Sequence, residues 1–141
     1  GAYAKGEKSS SEDEGTWFAA LAAMTRYLRS PQGCPWDQKQ TALSFAEPAR
    51  GELDEYLEAL DAAQTAHIEE EFGDTLFTLL ARAAAAEGEC GFSLERALEA
   101  AHRKMVRRHE HVFGETRAAT PEEAMRSWQQ IKAEEKRGKA L

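Results

Sequence analysis

The sequence predicts an all-α protein, a bundle of four to five helices. Apolar residues recur at steps of three and four through most of the chain, and start and stop residues bracket each such stretch. No stretch of four or more residues alternates with the period of a strand. The 141 residues suit one domain with a core of its own. A tail over residues 1–15 and a helical domain over 16–141 are expected, because the tail is polar and carries Ser9-Ser10-Ser11 ahead of a run of acids. Such a segment has too little to bury and is expected to be disordered.

The first helix is read from Trp17, Leu21, Met24 and Leu28, spaced four, three and four, and must stop before Pro31. Ser30 to Asp37 is dense in breakers and reads as a loop. A second helix covers about Ala42 to Ala62, with Leu53, Tyr56, Leu57 and Leu60 as its apolar stripe. Pro48 makes its early part irregular or marks its true start. The third runs from about Ala66 to Glu87 on Ile68, Phe72, Leu76, Leu79, Leu80 and Ala83, and Gly88 and Gly91 end it. The turn between these two, near Ala62 to Thr65, is short, which favours an antiparallel central hairpin. Ser93 is an N-cap for a fourth helix, carried by Leu94, Leu98, Ala101 and Met105 to about His109. The fifth opens on Thr120-Pro121-Glu122-Glu123, a capping box with proline at the first helical position. Ala124, Trp128 and Ile131 form its inner stripe.

Against 18 Lys and Arg stand 25 Asp and Glu, a formal charge of -7. Such a chain does not grip nucleic acid through general electrostatics. No apolar run approaches the roughly 20 residues that a membrane span needs. Cys34 and Cys90 are far apart and suit free thiols, and no secretory signal opens the sequence. A cytoplasmic protein without nucleic-acid or membrane partners is expected.

The acids are placed more tellingly than they are counted. Glu52 and Glu55 lie three apart on the second helix, and Glu71 and Asp74 three apart on the third. Each pair shares a helix face, so a hairpin of the two helices can bring four carboxylates to one point. Four close negative charges repel one another, and a cation is the natural compensation. All-oxygen ligands suit Mg²⁺ or Mn²⁺, and the absence of Glu-x-x-His disfavours di-iron chemistry. A solvated surface is the other reading of these acids, since Glu69-Glu70-Glu71 lies near a helix start where the dipole favours them. Gly73, in mid-helix, costs roughly 1 kcal/mol relative to alanine and implies close helix packing or room for a ligand.

At these residues the chain resembles the MazG nucleoside triphosphate pyrophosphohydrolases. The blocks are Gly33-Cys34-Pro35-Trp36-Asp37, Gln40-Thr41, Glu52-x-x-Glu55, Glu70-Glu71-Phe72-Gly73-Asp74, Lys104 through Gly114, and Trp128-x-x-Ile131-Lys132-x-x-Glu135-Lys136. They follow the family's order over roughly residues 17 to 136. The resemblance implies an all-α fold, a homodimer, and Mg²⁺-dependent cleavage of a nucleoside triphosphate at the α–β anhydride to NMP and pyrophosphate, with Mn²⁺ as a substitute. It implies nucleotide-pool housekeeping as the task. It assigns metal to Glu52, Glu55, Glu71 and Asp74, and substrate contacts to Lys104, Arg108, Trp128 and Lys132. Glu55 or Glu70 becomes the candidate to orient or deprotonate the attacking water, while Lys104 and Arg108 meet the charge on departing pyrophosphate. Gly51 departs from the family's common Glu-Glu, which puts a further metal ion or full turnover in doubt. Alternatives are a same-fold pyrophosphatase for dUTP or phosphoribosyl-ATP, and a catalytically weak nucleotide-binding module.

Each remaining residue keeps a plainer reading beside the sharper one. Lys104 and Arg108 also fit a solvated basic helix end, and Trp128 also fits a core position. Trp36 is either a loop anchor or a base contact. His109-x-His111 has no third ligand in sequence and reads as structural. Trp17, Leu21 and Met24 are candidates for a dimer face.

Overall fold

The computed structural model describes residues 10–140, with side chains over 13–139. Seven helical segments follow one another, and no strand occurs among the described residues: α1 (Ser10–Leu28), α2 (Pro35–Lys39), α3 (Ala46–Ala62), α4 (Thr65–Cys90), α5 (Leu94–Arg108), α6 (Glu110–Phe113) and α7 (Pro121–Ala140). The five long helices are those expected; of the two short ones, α2 begins inside the segment read as a loop and α6 lies between the expected fourth and fifth helices. None is long and apolar enough to cross a membrane among the described residues. Of the tail expected to be disordered, residues 1–9 lie outside the described residues and 10–15 are helical. Asp13 and Glu14 there lie in the first two turns, close to the positive end of the helix dipole.

The chain, read from its length as one domain, divides into two compact units, Gly1–Phe92 and Ser93–Leu141. In the first, α4 packs against both α3 and α1. The hairpin of α3 and α4 turns on two residues, and Ala63 takes the left-handed conformation (φ 55°) that closes the end of α3. Thr75 then meets Glu52 across the hairpin, its hydroxyl 3.1 Å from the Glu52 carbonyl. Two residues so evenly spaced about the turn fix α3 and α4 as antiparallel.

The buried faces differ from the expected stripes. On α1 the residues inside are Ala22 and Thr25, while Trp17 and Met24 are exposed. On α3 only Ala59 is fully buried, and Leu53, Leu57 and Leu60 point outward. On α4 a seam of Ala81, Ala84 and Ala85 is buried together with Thr78 and Leu80, the last a member of the expected stripe. An Arg26–Glu87 ion pair at 2.8 Å ties α1 to α4 beside that seam.

Capping chemistry sets the remaining ends. Gly91 (φ 68°) ends α4, whereas Gly88, expected to help end it, lies inside the helix. Pro48 sits in the first turn of α3, where its missing N–H costs nothing, and residues 42–45 form a turn ahead of it. The Ser93 hydroxyl accepts from the Arg96 amide at 3.1 Å. Thr120 accepts from the Glu123 amide at 3.1 Å, and Glu123 reaches back to the Ala119 amide at 2.7 Å. In the second unit α5 packs on α7, with α6 against both.

The loop after α1 folds back on itself. The Cys34 amide donates to the Leu28 carbonyl at 2.7 Å, and Arg29 donates to the Asp37 carbonyl at 2.7 Å. A Cβ at Gly33 would collide with the carbonyl oxygens of Tyr27 and Leu28. Gly33→Ala is expected to cost about 1–3 kcal/mol, as overpacking usually does, and a urea melt should show it as a lower midpoint at unchanged slope.

Candidate functional site

The antiparallel hairpin puts the expected carboxylates together. One oxygen each from Glu52, Glu55 and Glu71 lie within 4.8 Å of one another, and so do one each from Glu70, Glu71 and Asp74. The four acids read as ligands thus form two overlapping triads with Glu71 in both, and Glu70 joins the second. Glu71 is buried, Glu52 half-buried, and Glu55, Glu70 and Asp74 exposed. The face of α3 turned to α4 is therefore centred on Glu52, Tyr56 and Ala59, with Tyr56 edge-on to Phe72 of α4 at 5.8 Å.

The electrostatics are those of a site short of positive charge. Burial, then the charges of Glu55, Asp74 and Glu71, pushes the Glu52 carboxyl above its ordinary value. Burial likewise raises Glu71, with Glu55 and Asp74 adding to it and His67 opposing. Glu52 Oε2 and Glu71 Oε2 are buried and accept no hydrogen bond. Buried oxygens left without donors are costly. A divalent cation is the partner that such an all-oxygen set fits.

Two supporting residues were given no role from the sequence. Thr75 donates within reach of both the Glu52 and Glu71 carbonyls, at 3.1 and 2.8 Å, and so pins the two ligand-bearing turns together. His67 stands one turn before Glu71, its Nδ1 4.0 Å from Oε1. Its i, i+4 spacing to Glu71 was the available signal. Gly73 is not explained by close packing, since a Cβ built there meets nothing within 4 Å, and the same holds for Gly51.

Trp36, also in the first unit, is held edge-on to buried Phe45 at 5.8 Å and remains 55% exposed. Its anchoring role is visible, and its outer surface is free.

The second unit gathers Arg108, Trp128 and Glu135. Arg108 reaches Glu135 at 3.0 Å, and its guanidinium carbon lies 5.2 Å from the centre of the Trp128 ring. His109 stands edge-on to the same indole at 5.3 Å and 5.5 Å from His111. The histidines join no metal-sized cluster among the described residues. Lys104 and Lys132 are exposed. The hydrogen bonds of Arg108 and then Arg107 hold the Glu135 carboxyl down to about 2.

Residues 40–113 match the family described as MazG nucleotide pyrophosphohydrolase domain, a span that includes all five clustered acids. The chain belongs to the MazG family. A MazG-related protein of Thermotoga maritima, solved as a crystal structure, superposes with a TM-score of 0.69 at 32% identity, over 82% of this chain and 97% of that one. The nucleoside triphosphate pyrophosphohydrolase/pyrophosphatase MazG of the same organism is 35% identical over 125 residues, 89% of this chain and 48% of that protein. The uncharacterized protein YabN of Bacillus subtilis is 39% identical over 119 residues, 84% of this chain and 24% of its own length. The chain thus spans less than half of either of these last two.

Proposed function

We propose that the protein hydrolyses nucleoside triphosphates at the α–β phosphoanhydride, releasing NMP and pyrophosphate, with Mg²⁺ as its cofactor and Mn²⁺ as a substitute. Support comes first from the two buried, donor-less oxygens of Glu52 and Glu71 at the centre of five clustered carboxylates. The family, and the activity in the name of the Thermotoga maritima MazG, give the substrate class.

Glu52, Glu55, Glu71 and Asp74 would hold the cation. When bound, it supplies positive charge against the phosphates and acidifies nearby water. Glu70, exposed beside Glu71 and Asp74, and Glu55 on the facing helix are the bases available to orient the water that attacks the α-phosphorus. The bond from that phosphorus to the bridging oxygen breaks, and pyrophosphate leaves with the electron pair. Lys104 and Arg108 are assigned to the charge that develops on it, Arg108 as a planar fork and Lys104 as a point charge. Trp128, Lys132 and Trp36 are assigned to the nucleotide, the indoles offering stacking faces worth roughly 1–3 kcal/mol per base.

A panel of triphosphates, dUTP and phosphoribosyl-ATP included, incubated with Mg²⁺ should give NMP (or its equivalent) and pyrophosphate. NDP and phosphate as products would overturn this assignment, and nucleotide binding without turnover would favour a non-catalytic module.

A second copy of the chain is the proposed partner. Leu43, Leu53, Leu57, Leu60 and Leu79 are each more than two-fifths exposed on the first unit. Sedimentation at micromolar concentration should report a dimer, and a monomer there would remove the idea.

A further inference from the structure

Trp128 and Glu135 lie seven residues apart, two turns along one face of α7. That face meets the last turn of α5, where Glu135 takes Arg108 Nε on both oxygens, at 3.0 and 3.2 Å, and Arg107 Nη2 at 3.1 Å. The Arg108 and Glu135 side chains are only 16% and 15% exposed, so water competes for this pair less than for one on the open surface. Beneath the guanidinium lies the Trp128 ring. Two restraints therefore act on one guanidinium: an acceptor at its Nε edge and an indole beneath its central carbon.

The bonds to Glu135 run through Nε. Nη1 and Nη2, the terminal amino groups of Arg108, have no hydrogen-bond partner among the described residues. This suits a residue that must meet phosphate oxygens, because a fork already oriented loses less freedom on binding. A carboxylate competing with phosphate would instead sit on the Nη end.

We propose that Glu135 is a positioning residue, holding the Arg108 guanidinium over Trp128 with its terminal amino groups presented to the substrate's phosphates. The inference rests on the reading above, in which Arg108 meets the triphosphate. It gives a task to the one acid of the Trp128-to-Lys136 motif that sequence comparison with the family left without a role.

The test is kcat/KM for pyrophosphate release in the wild type, Glu135→Gln, Arg108→Ala and the double variant, with a thermal melt of each. Glu135→Gln should lower kcat/KM on the order of tenfold to a hundredfold, chiefly through KM, as a displaced substrate-positioning group does. In the Arg108→Ala background the same change should have almost no further effect, since the two act as one unit. Glu135→Asp keeps the charge while withdrawing the acceptor by one methylene, and should recover part of the loss. It also replaces Glu135→Gln in the cycle if that variant melts below the assay temperature. An unchanged or higher kcat/KM on losing Glu135, or an equal loss whether or not Arg108 is present, overturns the proposal. Full kcat/KM in Arg108→Ala would instead overturn the reading beneath it, so the two failures are distinct.

Discussion

Glu71→Gln is expected to lower Mg²⁺-dependent pyrophosphate release by on the order of a hundredfold to a thousandfold, the scale seen when one preorganised electrostatic contributor is removed. Glu71 belongs to both carboxylate triads, so its loss takes an oxygen from each. It is also the buried member, 7% exposed, and its Oε2 accepts no hydrogen bond. Glutamine keeps the shape and the α3–α4 packing, so the change tests charge and ligation and leaves volume alone. Glu55→Gln, at an exposed position in one triad only, should cost less and should be partly recovered at higher Mg²⁺. A pyrophosphate-release assay titrated with Mg²⁺ separates the two, and a fully active Glu71→Gln enzyme would end the metal assignment.

The second large effect is on stability and reverses with the cation. Glu52 and Glu71 have folded-state pKa values above those of the unfolded chain. The folded protein therefore binds their protons more readily. The stability this provides is fully present below the unfolded value of about 4.3 and is lost as pH rises through the folded values. Without divalent cation, Glu71→Gln should melt above the wild type at pH 7, and the difference should close towards pH 4. Adding Mg²⁺ at pH 7 should invert the order. A ligand at a hundredfold excess over its Kd stabilises by about 2.7 kcal/mol, on the order of 10 °C for a chain of this size. That gain should shrink as the pH falls, because protons and cation compete for the same oxygens. Glu135, held at about 2, has the opposite sign: its stability is present above the unfolded value and is lost as pH falls towards 2. The comparison of variant with wild type isolates Glu71 from it. A wild type that ignores Mg²⁺ at pH 7 would contradict the scheme.

Helix type and order were legible because capping residues and turn breakers are local signals. Ser93, Thr120 and Gly91 each act where the sequence places them, through bonds or dihedrals within a few residues. Facing was less legible. The spacing of Leu53, Leu57 and Leu60 gives an amphipathic helix, but hydrophobicity does not say whether the apolar side meets the chain's own α4 or lies open. The answer depends on how α3 is rotated about its own axis against α4, which is a property of shape. The carboxylate cluster was readable from two i, i+3 pairs and a short turn. That Glu71 is common to both triads was not, because it depends on the axial stagger that Thr75 sets. Glu135 shows the same limit: its partners Arg107 and Arg108 are 28 and 27 residues away, and no spacing rule links α5 to α7.

The smallest buried residue of α3 also determines how this chain can drift. Ala59 is 1% exposed, and a larger side chain there would push α3 away from α4, the two helices that carry Glu52 and Glu71. The outward leucines of α3 are under no such restriction on size. Within the hairpin, inherited variation is therefore filtered by volume on one side and by polarity on the other. Two sequences could share almost none of their large apolar residues and still hold the same five carboxylates in register.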